Sequence, residues 1–75
     1  MKKFRLGRYQ HYKGKFYQVI GEARHSETLE EFVVYAALYR TKFGAKSLWV
    51  RPKKMFVEKV VVGGKRVNRF KYCGK

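Results

Sequence analysis

Hydrophobic positions in this chain cluster in short runs broken by glycine, the pattern of a small β protein rather than a helical one. Arg8-Tyr9-Gln10-His11-Tyr12 is a short aromatic-rich run, and Lys13-Gly14-Lys15 supplies a turn before Phe16-Tyr17-Gln18-Val19-Ile20 returns. Gly21 interrupts that second run where a strand would bulge or bend, and the strand resumes through Ala23 and Arg24. The next segment admits two readings. Thr28-Leu29-Glu30-Glu31 fits a T-x-x-E capping box, which would open a helix with Leu29, Phe32, Val33, Ala36 and Ala37 on one face. Against this, Phe32-Val33-Val34-Tyr35 is β-branched and aromatic, and the run 32–39 has the length and character of a buried strand. A helical turn is therefore expected at 28–31 and a strand at 32–39.

Residues 41–47 read as a loop, and Leu48-Trp49-Val50-Arg51 as a strand ended by Pro52. Proline fixes φ and lacks an N–H, so a single 3₁₀ turn is expected near 52–55. Residues 56–62 and 65–73 then form a hairpin on Gly63-Gly64, a pair suited to two-residue turns that match strand twist. Counting outward sets 62 opposite 65, 60 opposite 67, Glu58 opposite Arg69 as an ion pair, and Val57 opposite Phe70. Five to six short antiparallel strands predict an all-β fold, a small SH3-like barrel. The basic stretch 1–6 reads as a flexible arm and 7–75 as one domain.

Charge changes the picture most. The 75 residues hold 19 Lys+Arg against 5 Asp+Glu, a formal charge of +14. The imbalance is concentrated: residues 1–39 carry a net +3 and residues 40–75 a net +11. A domain with an aromatic content of 17% is too rich in core-forming rings for a disordered basic tail. In a folded chain, a pI near 10.3 is the electrostatic footprint of a polyanion binder. Cys73, the one cysteine, excludes an intramolecular disulfide and leaves too few thiols for a structural zinc site. A thiol nucleophile would need an ordered base beside it, which a strand end next to the terminus does not promise. The apolar run 32–39 falls short of the ~20 residues of a membrane-spanning helix. Residues 1–5 have the charge of a signal peptide without its apolar stretch. A cytoplasmic protein with no membrane association is expected.

Several blocks can be quoted together: Gly7-x-Tyr9-x-His11-Tyr12-Lys13-Gly14, Tyr17-x-Val19-Ile20-Gly21-x-Ala23-Arg24-His25-Ser26-Glu27-Thr28-Leu29-Glu30, Val33-Val34-Tyr35-x-Ala37-Leu38-Tyr39 and Leu48-Trp49-Val50-Arg51-Pro52-x-x-Met55-Phe56. Over roughly residues 7 to 72 the chain resembles the bacterial domain-of-unknown-function 1653 family. The resemblance implies an SH3-like β-barrel, with 32–39 as a strand, and implies no established activity. It singles out Tyr12, His25, Glu27, Tyr35, Trp49 and Arg51 as motif positions. Ala36, Lys53, Lys54 and Asn68 depart from the family pattern, so the excess positive charge is particular to this chain.

Three constellations carry candidate chemistry. His25 and Glu27, two apart in an extended segment, would face one way and could pass a proton or hold a metal, with His11 as a third ligand. The competing structural reading has Ser26 or Thr28 capping a turn while His25 and Glu27 bond to backbone; catalytic residues, metal and cofactor are accordingly expected to be none. The larger constellation is basic: Arg51, Lys53 and Lys54 around Pro52, and Lys65, Arg66, Arg69 and Lys71 on the last hairpin. Tyr12, Tyr39 and Tyr72 would stack on bases, while Trp49 and Phe56 are expected in the core and Arg51 could pair with Glu27. These residues point to a non-enzymatic module, monomer or weak dimer, that binds nucleic acid or a ribonucleoprotein surface through phosphates. The alternatives are a peptide or protein partner in an aromatic groove of the barrel, and a small enzyme or metal site at His25/Glu27.

Overall fold

Opposed residues on antiparallel strands point to the same face, so the register decides which side chains make the core. The computed structural model describes residues 4–74. Its elements are β1 (Gly7–His11), β2 (Phe16–Arg24), β3 (Glu31–Ala37), β4 (Arg40–Thr41), β5 (Gly44–Ala45), β6 (Leu48–Pro52), α1 (Lys53–Phe56), β7 (Lys59–Val62), β8 (Lys65–Asn68) and β9 (Phe70–Gly74). Five strands form an antiparallel sheet in the order β6-β3-β2-β1-β9, and β4-β5 and β7-β8 are separate two-stranded ladders. The all-β expectation holds, but the described ladder does not close into a barrel: β6 and β9 remain sheet edges.

One face of the sheet is lined with rings. Tyr9 lies opposite both Tyr17 and Tyr72, His11 opposite Phe70, Val19 opposite Tyr35, and Val33 opposite Arg51. Phe56 fills the hollow, 1% exposed, stacked on Phe70 at 4.1 Å between ring centres and edge-on to Tyr9 at 5.3 Å. Burying one such side chain contributes about 1.5–3 kcal/mol. Phe4 adds a further ring, stacked on Tyr9. Of the arm expected at 1–6, Met1 to Lys3 lie outside the described residues.

Phe56 also explains α1. Its four residues carry no acid in the first turn and two lysines, an arrangement the helix dipole opposes. The turn is held by the burial of Phe56 and by Lys53 Nζ, 2.7 Å from Glu22 Oε1 on β2. It is one α-helical turn rather than the expected 3₁₀ turn, because Val57 N–H donates to the Lys53 carbonyl four residues back.

The bulge at Gly21 is present: Val19 pairs with Tyr35 and Gly21 with Val34, leaving Ile20 unpaired. The hairpin register is also as counted, from Val62 opposite Lys65 beside the turn to Lys59 opposite Asn68. Gly63 and Gly64 have φ of 57° and 79°, the left-handed pair a type I′ turn requires. The expected pairing of Val57 with Phe70 does not form. Phe70 instead joins β1 opposite His11, where it is 6% exposed, while Val57 stays 54% exposed.

The helical turn at 28–31 is absent too. Residues 26–28 form a turn, Leu29 takes a left-handed φ of 63°, and Glu31 already pairs with Arg24 in the sheet. The Thr28 hydroxyl accepts from Glu30 N–H at 3.2 Å rather than from Glu31. The capping signal lost to the ladder, which continues as His25 N–H donates to the Glu30 carbonyl. Strand β3 correspondingly begins at Glu31 and ends at Ala37, short of residue 39.

Candidate nucleic-acid interface

The sheet sorts its connections to two ends. At one end sit the β2–β3 turn and α1, since Phe32 pairs with both Ala23 and Pro52. At the other sit the β1–β2 turn and the β3–β6 connection, joined by Leu38 N–H donating to the Phe16 carbonyl. The root of the β7–β8 hairpin meets this second end, where Tyr12 N–H donates to the Arg69 carbonyl at 2.8 Å.

The carboxylates follow the same division. Glu22, Glu27, Glu30 and Glu31 belong to the β2–β3 end, where Lys53 bonds Glu22 and Arg24 lies 3.8 Å from Glu31. The Glu22 hydrogen bond, outweighing burial, holds the Lys53 ammonium above its ordinary pKa. Glu58 is engaged by Arg69 Nη2 at 3.0 Å, the ion pair expected from the hairpin count. Among the described residues, Lys13, Lys15, Arg40, Lys42 and Lys46 at the loop end have no carboxylate within salt-bridge distance, nor do Lys59, Lys65, Arg66 and Lys71.

Between β1, β9 and the hairpin lies an open groove of about 450 Å³ lined by Gln10, His11, Tyr12, Val62, Lys65 and Lys71. Its walls are mainly apolar and its charges are ammonium groups. His11 supports Tyr12, ring centres 4.6 Å apart, and its Nδ1 accepts from Lys13 N–H at 3.2 Å. Burial, followed by the charges of Arg51, Arg69 and Lys13, lowers the His11 pKa, so its ring is neutral at neutral pH. Tyr12 is 39% exposed, and Lys13 Nζ lies 5.9 Å from the centre of its ring.

Of the residues singled out in the sequence, Lys65 and Lys71 share this groove, and Arg66 stands exposed on the adjoining hairpin. Tyr39 is near the same end, half-buried: its hydroxyl bonds that of Tyr17 at 2.6 Å and Lys15 lies over its ring at 4.6 Å. Burial first, and then that bond, push the Tyr17 hydroxyl pKa well up. Lys53 and Lys54 are not brought to this end; Lys54 shares a shallow cleft with Glu30 and Glu31. Arg51 does not meet Glu27. Its Nε donates to the Tyr35 hydroxyl at 3.3 Å and its guanidinium lies over Phe70 at 5.6 Å, where the buried rings can hold it. Tyr35 is core, whereas Trp49, expected there, is 37% exposed because β6 is an edge with no strand beyond it. Tyr72 packs edge-on against Tyr9 and lies beneath the Arg5 guanidinium. Among the described residues, Arg69 Nε is buried with no hydrogen-bond partner.

His25 is a loop device. Its Nδ1 accepts from Glu27 N–H at 3.1 Å and Thr28 N–H at 3.3 Å, so the ring bonds backbone as the structural reading expects and caps the turn alongside the Thr28 hydroxyl. His11 stands at the opposite end of β2, roughly 25 Å of strand away, too far to join His25 as a ligand. Among the described residues no three His, Cys, Asp or Glu side chains gather as metal ligands, and no helix is long and apolar enough to cross a membrane. Sequence reading missed Lys13, Lys15, Lys42 and Lys46. A signal was available: no acid occurs between Glu31 and Glu58.

Fold and charge together define a small antiparallel β domain with one end rich in cations that, among the described residues, meet no carboxylate. The chain belongs to the family described as protein of unknown function (DUF1653), whose model matches residues 7–72. It is similar to a solved structure titled as a protein of that family from Bordetella bronchiseptica, at 40% identity and a TM-score of 0.84, covering 96% of this chain and 90% of that one. No curated protein matches it significantly.

Proposed function

We propose that this protein is a binding module for nucleic acid, free or in a ribonucleoprotein, held mainly by phosphates at the loop end of the sheet. The separation of charge carries this reading: four of the five acidic side chains belong to the far end, and the fifth is engaged by Arg69. Ammonium groups left without partners repel one another, and a polyanion relieves that repulsion by releasing its counterions. The groove beside Tyr12 offers Lys65 and Lys71 to a phosphate backbone and an apolar wall to a sugar or base. A peptide groove of the SH3 kind has less to recommend it, because the rings on the hollow face are packed against the chain's own Phe56.

Protein purified from a cell extract should carry an elevated 260/280 nm absorbance ratio that a high-salt wash removes. With ~4–6 phosphates neutralised, log K should fall against log salt with a slope of roughly −3 to −5. Reversing Lys13, Lys15, Lys65 and Lys71 to Glu should abolish retention, while reversing Lys53 and Lys54 should leave most of it. Affinity that barely responds to salt, or loss that is equal for both sets, would overturn the proposal.

A further inference from the structure

The β4–β5 ladder carries a feature the groove does not account for. At its tip Phe43 is 66% exposed, and Trp49 on the neighbouring edge strand meets it edge-on, ring centres 5.6 Å apart. A ring so exposed contributes little to the core. The loop beneath it is nevertheless firmly tied. Thr41 Oγ1 accepts from Phe43 N–H at 3.0 Å, bonds the Gly44 carbonyl at 3.2 Å and meets the Ser47 hydroxyl at 3.1 Å. Ser47 Oγ in turn accepts from Trp49 Nε1–H at 2.9 Å, so the indole's one polar group is satisfied within the chain. Two rings are thus held in place with no hydrogen bond to offer, which suits stacking and not base-edge reading. Lys42 Nζ lies 5.3 Å from the Phe43 ring, Arg40 stands on the same short ladder opposite Ala45, and Lys46 follows Ala45 in the next turn.

We infer that Phe43 and Trp49 form a stacking platform for an unpaired base, so that the protein selects single-stranded over double-stranded nucleic acid. The inference rests on the phosphate-binding reading above and adds to it the kind of strand. In a duplex the bases are already stacked on one another, and a ring at a loop tip cannot reach their faces. In a single strand a base swings onto the ring while its phosphates meet Arg40, Lys42 and Lys46. The pairing of ring and cation recurs at Tyr12 with Lys13 and at Tyr39 with Lys15 along the same end.

Trp49 is the sole tryptophan, so its emission reports on the platform directly. A short oligothymidylate, its duplex with oligoadenylate, and inorganic polyphosphate are each titrated while binding is followed independently by calorimetry. Quenching by the single strand alone, and tighter calorimetric binding of it than of its duplex, is the expected result; equal affinity for the two overturns the selectivity. Phe43→Ala should weaken single-strand binding on the order of tenfold and leave polyphosphate binding unchanged. Single-strand binding without quenching, or equal quenching by polyphosphate, overturns the platform and leaves the phosphate reading standing. Absence of binding to all three overturns both. A Trp49 response to phosphatidylglycerol vesicles with none to the oligonucleotide assigns the rings to a lipid surface and likewise overturns the inference.

Discussion

The two ends of the sheet use the same residue types to opposite effect. At the β2–β3 end a lysine bonds a carboxylate, and the short helix it sits on delivers a phenylalanine into the core. At the loop end lysines lie beside rings with, among the described residues, no carboxylate in reach, and two of the rings there, Tyr12 and Phe43, are exposed. The first arrangement holds the fold together; the second makes it repel itself. A charge that serves stability is thus recognisable by its partner, and one that lacks a partner asks for another explanation.

The largest test of this contrast is Phe56→Ala. It should cost about 3–5 kcal/mol, comparable to the whole stability of a domain this small, and abolish the cooperative urea transition at room temperature. Next come the lysines, for which opposite signs are expected at the two ends. Lys53→Gln removes the bond to Glu22 and should lower stability by up to about 1 kcal/mol. Lys13→Gln and Lys42→Gln relieve repulsion and should raise stability by a few tenths of a kcal/mol at low salt, a gain that added salt erases. Destabilisation by all three would break the distinction. The smallest effect concerns pH. The unfolded chain protonates His11 near its ordinary value of 6.5, whereas in the fold burial and the nearby cations resist that proton. Its contribution is complete above that value and declines as pH falls through it, because the unfolded state then binds more protons. His11→Gln should flatten the dependence of the urea midpoint between neutral and mildly acidic pH.

Much of the fold was legible where a local rule and the global one agree. Gly63-Gly64 set the hairpin register, Gly21 marked the bulge, and the β-branched run at 32–35 outweighed a helical reading. The T-x-x-E signal misled because His25, upstream of it, supplies the cap and because Glu31 gains a strand partner in Arg24. Phe70 was assigned to the wrong neighbour for a similar reason: the hairpin count knows nothing of the ring-lined strand that offers it a place. The candidate interface was half legible. Composition announced the surplus charge, but which cations are spent on glutamates depends on the pairing of distant strands. Lys13 and Lys42 come to one end only because β1, β2 and β3 run antiparallel side by side.

The β7–β8 hairpin has a consequence for how the molecule breathes. Its four β8 residues are all exposed, as are Lys59, Val61 and Val62 on β7. Two strands alone are marginal in water, and here the supports are at the root, where Arg69 joins Glu58 and Tyr12. Its amides should therefore take up deuterium well before those of β2 and β3, making this an arm that swings open while the ring-lined sheet stays shut.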